Sequence, residues 1–181
     1  MGSPVSSMLA VGAFLALALG ASAGASAAAS NETPEGSDLD LSQKASLVRV
    51  VDGDTIQVRR RGRVHDVRLI GIDTPEVFGA EECGGRQASR PLAEMVSRRD
   101  KLVLRVDPSQ DRRDGFGRLL RYVTLEGFDV GRAQLRRGWA NVFVFERPFA
   151  RLGGYRDSRN GARENDRGIW GRCDGKVHQP L

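Results

Sequence analysis

Soft metal ligands are scarce in this sequence. Its 181 residues hold two cysteines, Cys83 and Cys173, and two histidines, His65 and His178. No C-x-x-C occurs, which argues against a structural zinc site. No Ser–His arrangement stands at a recognisable spacing, so nothing points to a serine-type covalent nucleophile. Lysine is rare as well, with three (Lys44, Lys101, Lys176) against 25 arginines. The first 31 residues lack charge of either sign, and all 51 charged side chains fall in the other 150. The leading apolar run, MLAVGAFLALAL from Met8 to Leu19, is shorter than the roughly 20 residues that span a bilayer.

What is present begins with that run. A short apolar core followed by Ala, Gly and Ser, with an A-x-A pattern at Ala25-Ser26-Ala27, reads as a secretory signal peptide over residues 1–27. The expectation is a secreted protein with no stable membrane association after cleavage. An uncleaved N-terminal anchor is the alternative, since Met1 to Ser7 carries no Lys or Arg. Residues 28–46 are polar and acidic at Glu32, Glu35, Asp38 and Asp40, and read as a flexible linker that buries too little to order itself. The folded domain is expected at 47–173, with a tail at 174–181. From Lys44 onward there are 28 basic and 19 acidic residues, a net of +9. A surface of that sign attracts polyanions, nucleic acid first, although arginine richness also follows from a GC-rich coding sequence. Two cysteines in an exported chain suggest one Cys83–Cys173 disulfide; two buried thiols are the alternative.

The domain reads as α+β, mainly β. Leu47–Val51 and Thr55–Val58 flank Asp52-Gly53-Asp54, a strand–turn–strand hairpin signal. A second turn at Arg60–Arg63 leads to a third strand, Val64–Ile72, stopped by Pro75. Ala88, Leu92, Met95 and Val96 share a helical face, and Pro91 is tolerated in a first turn, which predicts Ser89 as N-cap. Leu102–Val106 and Arg118–Leu125 are the fourth and fifth strands. Asp129 is the N-cap of a short helix that Gly138 closes. Trp139–Phe145 is expected to pack on the barrel, Ala150–Asp166 to form a last helix, and Trp170 to anchor in the core. Five short strands, a helix after the third and about three helices in all predict a five-stranded Greek-key OB barrel. Nothing in the sequence signals an oligomer, and a monomer is expected.

Four clusters carry possible chemistry: Asp52-Gly53-Asp54-Thr55, Arg68 to Glu76 (RLIGIDTPE), Asp114 to Arg118 (DGFGR) and Gly168-Ile169-Trp170. Taken singly each has a plain explanation as a turn, a strand end or a core contact. The loop at Asp111–Gly115 is not an EF-hand, because Arg112 and Arg113 stand where carboxylates are needed. Together the clusters place Asp54 and Asp73 at the ends of neighbouring strands, where their carboxylates can converge on a hard cation. Arg68 precedes Asp73 by an odd number of residues, which a regular strand would put on the opposite face. A bend at Gly71 would correct this.

In this order and at these separations, DGDT, RLIGIDTPE, DGFGR and GIW resemble staphylococcal nuclease and its thermonuclease relatives, over residues 47–172. The resemblance implies an OB-fold enzyme that hydrolyses DNA and RNA phosphodiesters with Ca²⁺. It implies that Asp54, Asp73 and the Thr74 carbonyl bind the metal, with Asp52 behind them. Arg68 and Arg118 would clamp the phosphate and Glu76 would position or activate water. The chain departs from the pattern at Phe116, where relatives often carry Tyr. It departs again at Val144 and Glu146, in the stretch where staphylococcal nuclease has base-holding tyrosines. Phe116, Phe143 and Phe145 are the aromatic candidates for stacking on a base. A non-catalytic OB module that binds nucleic acid is the alternative reading, and a cell-surface structural domain a more distant one.

Overall fold

The computed structural model describes residues 41–77, 82–96 and 101–177. The expected signal peptide, the linker through residue 40, residues 78–81 of the loop after Val77 and the last four residues lie outside these. The elements in chain order are β1 (Ser42–Val50), β2 (Thr55–Arg60), β3 (Arg63–Leu69), β4 (Ile72–Asp73), α1 (Gly85–Val96), β5 (Leu102–Arg105), β6 (Leu119–Leu125), β7 (Phe128–Asp129), α2 (Val130–Arg136), β8 (Asn141–Val142), α3 (Leu152–Glu164) and α4 (Ile169–Arg172).

Five strands close a barrel in the order β3-β2-β1-β5-β6, antiparallel except where β3 and β6 meet in parallel. This is the expected OB barrel. Alternation puts Ile56, Val58, Val67, Leu69, Leu102, Leu104, Leu119, Val123 and Leu125 inside, with almost no exposure. Leu92 and Val96 of α1 and Val130 and Leu135 of α2 join the same core.

Four local readings change. First, β1 starts at Ser42, and Ser42–Ala45 pair with Leu102–Arg105, so residues 42–46 belong to the barrel and not to the linker. Their alternation is real but buries Gln43 beside Ala45, and a buried glutamine gives no hydropathy signal. Second, the third strand stops at Leu69. Gly71 has φ +80°, and a Cβ there would lie 2.4 Å from the Phe149 ring, so the chain turns sharply where only glycine fits. Ile72–Asp73 then pair with Asn141–Val142 outside the barrel.

Third, α1 begins at Gly85 rather than beyond Ser89, and Pro91 lies inside it. The Ser89 hydroxyl donates back to the Gly85 and Arg86 carbonyls at 3.2 and 3.3 Å, so it caps nothing. Proline inside a helix removes one ladder hydrogen bond; packing of Ala88, Leu92 and Val96 against the core carries the helix across it. Fourth, the core anchor of the GIW cluster is Ile169, fully buried, whereas Trp170 is only partly covered. Phe143 and Phe145, expected to pack on the barrel, are 44% and 62% exposed.

Asp129 caps α2 through the Arg132 N–H at 3.0 Å, and Gly138 ends it with φ +78°, both as expected. Cys83 and Cys173 form a disulfide across 90 residues of sequence. Closing a loop of that length removes enough unfolded-chain entropy to stabilise by about 4–5 kcal/mol.

Candidate active site

Two turns build the site. The β1–β2 hairpin carries Asp52-Gly53-Asp54, and its tip is tied by the Asp54 N–H donating to Asp52 Oδ1 at 3.0 Å. The Gly71 turn carries Asp73 and Thr74 to the same place. The Thr74 N–H and hydroxyl both donate to Asp54 Oδ2, at 2.9 and 3.0 Å, and the Thr55 hydroxyl donates to Asp54 Oδ1 at 3.1 Å. Asp54 and Asp73 are both buried, which costs free energy unless such groups are paired.

Arg68 supplies the pairing. Its Nη1 lies 3.1 Å from Asp54 Oδ1 and its Nη2 lies 2.8 Å from Asp73 Oδ1. Nη1 also donates to the Ile72 carbonyl at 2.7 Å. Arg68 sits opposite Thr55 in the β2–β3 register, beside the hairpin, and the Gly71 bend returns Asp73 to its side. The bend therefore does what the odd spacing required.

Asp52 is pushed up to about 6, by burial first and by the charge of Asp54 second. The buried setting, more than the neighbouring charge, disfavours its ionised form. Hard carboxylate and carbonyl oxygens are the donors that a cation such as Ca²⁺ takes. Among the described residues no group of three or more His, Cys, Asp or Glu side chains converges as a metal cluster. The oxygens of Asp54, Asp73 and the Thr74 backbone are the donors this place offers.

A cavity of about 460 Å³ adjoins the Gly71 turn, which contributes Gly71 and Ile72 to its wall. Arg68 and Arg118 both line it, as do Phe116, Phe143 and Phe145. Arg118 is aimed by Asp114: its Nε donates to Asp114 Oδ2 at 2.6 Å, and its own N–H and that of Phe116 donate to Asp114 Oδ1 at 2.9 and 3.0 Å. Asp114 is thus more than a turn residue. Phe116 is 89% exposed, with the Arg118 guanidinium 5.3 Å from its ring centre. Phe143 and Phe145 stack at 6.4 Å. Exposed aromatics beside guanidinium groups suit a base next to a phosphate.

Asp52, Asp54, Arg68, Asp73 and Thr74 are thus joined by direct contacts, and Arg68 and Arg118 face one cavity. Glu76 is exposed on a coil three residues past Asp73. Two residues at the site have no signature in the sequence. Gln134 of α2, fully buried, donates to the Gly53 and Ala88 carbonyls at 2.9 Å each; only its place inside an apolar helical face could have drawn attention. Glu82, also buried, accepts the Glu76 N–H at 2.9 Å.

Comparison with known proteins agrees with the geometry. The chain is 37% identical over 131 residues to the SPbeta prophage-derived endonuclease YokF of Bacillus subtilis (strain 168), covering 70% of this chain and 44% of that protein. It is 34% identical over 144 residues to endonuclease YncB of the same organism, covering 77% of this chain and 67% of YncB. Thermonuclease of Staphylococcus hyicus is 33% identical over 86 residues, 46% of this chain and 49% of that protein. The match to the family model described as staphylococcal nuclease homologue runs over residues 66–172, leaving the Asp52–Asp54 hairpin ahead of it. With more than half of its length matched and the barrel, the Gly71 turn and the Asp114–Arg118 loop in place, the chain belongs to the staphylococcal nuclease homologue family.

Proposed function

We propose that this protein is a secreted, Ca²⁺-dependent nuclease that hydrolyses phosphodiester bonds of DNA and RNA and acts as a monomer. The observation that carries the reading is one guanidinium, Arg68, holding two buried carboxylates on one side while lining the same cavity as Arg118 on the other.

Asp54, Asp73 and the Thr74 carbonyl would hold Ca²⁺, which when bound opposes the negative charge that grows on the non-bridging oxygens. Arg68 and Arg118 bind the phosphate and stabilise the same charge through forked N–H donors. Asp114 keeps Arg118 in place for this. Glu76 orients a water molecule and accepts its proton as the water oxygen attacks phosphorus. The bond to the 5′-oxygen breaks, leaving a 3′-phosphate. Phe116, Phe143 and Phe145 offer ring faces to a base, a sequence-tolerant contact. The excess of basic residues draws the polymer in.

The test is digestion of single-stranded DNA by the purified full chain with Ca²⁺, with EGTA, and with Asp54→Ala. Cleavage lost in both controls supports the reading. Intact DNA with a folded wild-type protein favours a binding module, which salt-dependent DNA binding without cleavage would then establish.

A further inference from the structure

Glu76 lies on coil, yet the base of a hydrolytic reaction has to be held to a fraction of an ångström. Its backbone is gripped from one side by Glu82. The Glu76 N–H donates to Glu82 Oε2 at 2.9 Å, and the Glu82 N–H donates to the Glu76 carbonyl at 3.1 Å. Glu82 is only 7% exposed; burying a carboxylate is costly unless hydrogen bonds meet it. The first residue of α1 closes on the same point: a Cβ at Gly85 would sit 2.3 Å from the Glu76 carbonyl oxygen, so only glycine lets the helix approach.

The next residue, Cys83, is bridged to Cys173. Cys173 follows α4, whose Ile169 is fully buried and donates its N–H to the Gly138 carbonyl at 2.8 Å. Beyond the bridge, Gly84 faces Ile169, Cys173 and Pro75. The grip on Glu76 is thereby tied by one covalent bond to a C-terminal helix seated in the core.

Resting on the reading of Glu76 as base, we infer that Glu82 is its positioning residue and that the Cys83–Cys173 bridge, by holding Glu82, makes turnover depend on redox state. In the oxidised chain Glu76 is aimed at the phosphate. A dithiol that delivers two electrons and two protons breaks the S–S bond, yields two cysteine thiols and is itself oxidised to a disulfide. Glu82 then keeps only its link into α1, where the Gly85 N–H donates to its carbonyl at 3.0 Å, and Glu76 loses part of its alignment. A chain held in a reducing compartment spares the nucleic acid there and gains full activity on oxidation.

The experiment measures kcat and KM on single-stranded DNA with Ca²⁺ for the full chain, for Glu82→Ala, Glu82→Gln and Glu76→Gln, and for wild type after dithiothreitol, each with its circular-dichroism melt. Glu82→Ala is expected to lower kcat about 10–100-fold with KM within about two-fold. Glu82→Gln, whose amide oxygen still accepts the Glu76 N–H, recovers most of the loss. Glu82→Ala on top of Glu76→Gln costs little more. Reduction lowers kcat with the melt retained and reoxidation restores it; native kcat in the reduced chain, or a loss that comes only with unfolding, overturns the redox dependence, while the Glu82 variants test the positioning role. Native kcat in Glu82→Ala alongside an inactive Glu76→Gln overturns the inference and leaves the nuclease reading standing. An active Glu76→Gln removes Glu76 as the base, and the inference with it.

Discussion

Nη2 of Arg68 lies 2.8 Å from Oδ1 of Asp73, although five residues along a regular strand would turn the two side chains to opposite faces. The Gly71 turn makes the pair possible, and Nη1 reaches Asp54 from the same guanidinium. Lysine has no planar fork with which to serve both carboxylates and a phosphate. Arg68→Lys is expected to reduce kcat/KM about 10²–10³-fold, the usual loss of a donor aimed at transition-state charge, while the barrel still folds. Steady-state cleavage together with a melt decides; near-native turnover would remove Arg68 from the phosphate.

The carboxyl of Asp52 gives a pH signature. Its value in the folded chain is about 6 against 3.8 ordinarily, from burial and then from Asp54. A raised carboxyl binds its proton more tightly folded than unfolded, so its ionisation costs stability progressively from pH 3.8 to about 6 and in full above. Asp52→Asn keeps an oxygen for the Asp54 N–H and drops the charge. Without Ca²⁺ it should melt higher than wild type at pH 7.5, with the gain gone near pH 3.5. An equal effect at both pH values would mean the change acts through packing.

Gln134 joins the Asp52–Asp54 turn to two helices, through the Gly53 and Ala88 carbonyls. Gln134→Leu fills much the same volume but leaves both carbonyls without that donor. It also removes Oε1, which is buried and has no hydrogen-bond partner. The expected net loss is about 1–3 kcal/mol, read as a shift in the urea midpoint, with weaker Ca²⁺ binding by calorimetry because Gly53 stands between Asp52 and Asp54. An unchanged midpoint would show that the orphaned oxygen offsets the two lost bonds.

Much of this protein is legible in its residues. The hairpin turns are written in Asp-Gly and Arg-Gly pairs, and Arg61 and Gly62 do adopt positive φ. The cap at Asp129 and the stop at Gly138 follow from local chemistry. Both cysteines were marked for each other by number and context. Local rules misplaced the start of α1 because a buried face outweighs one missing ladder bond. They missed residues 42–46 because a strand that buries a glutamine has no apolar period.

By itself the sequence determined the strands, their turns and the carboxylate-bearing loops, since each depends on propensities within a few residues, and the order of its motifs carried the resemblance to the family. Only the tertiary structure decided what holds those loops. Glu82 on Glu76, Gln134 on Gly53 and Arg68 across two carboxylates arise where the closed barrel and its packed helices bring separate turns together. Gln134 and Gly53 stand 81 residues apart. No local period encodes such a pairing, because its energy exists only after the loop between the partners has been closed.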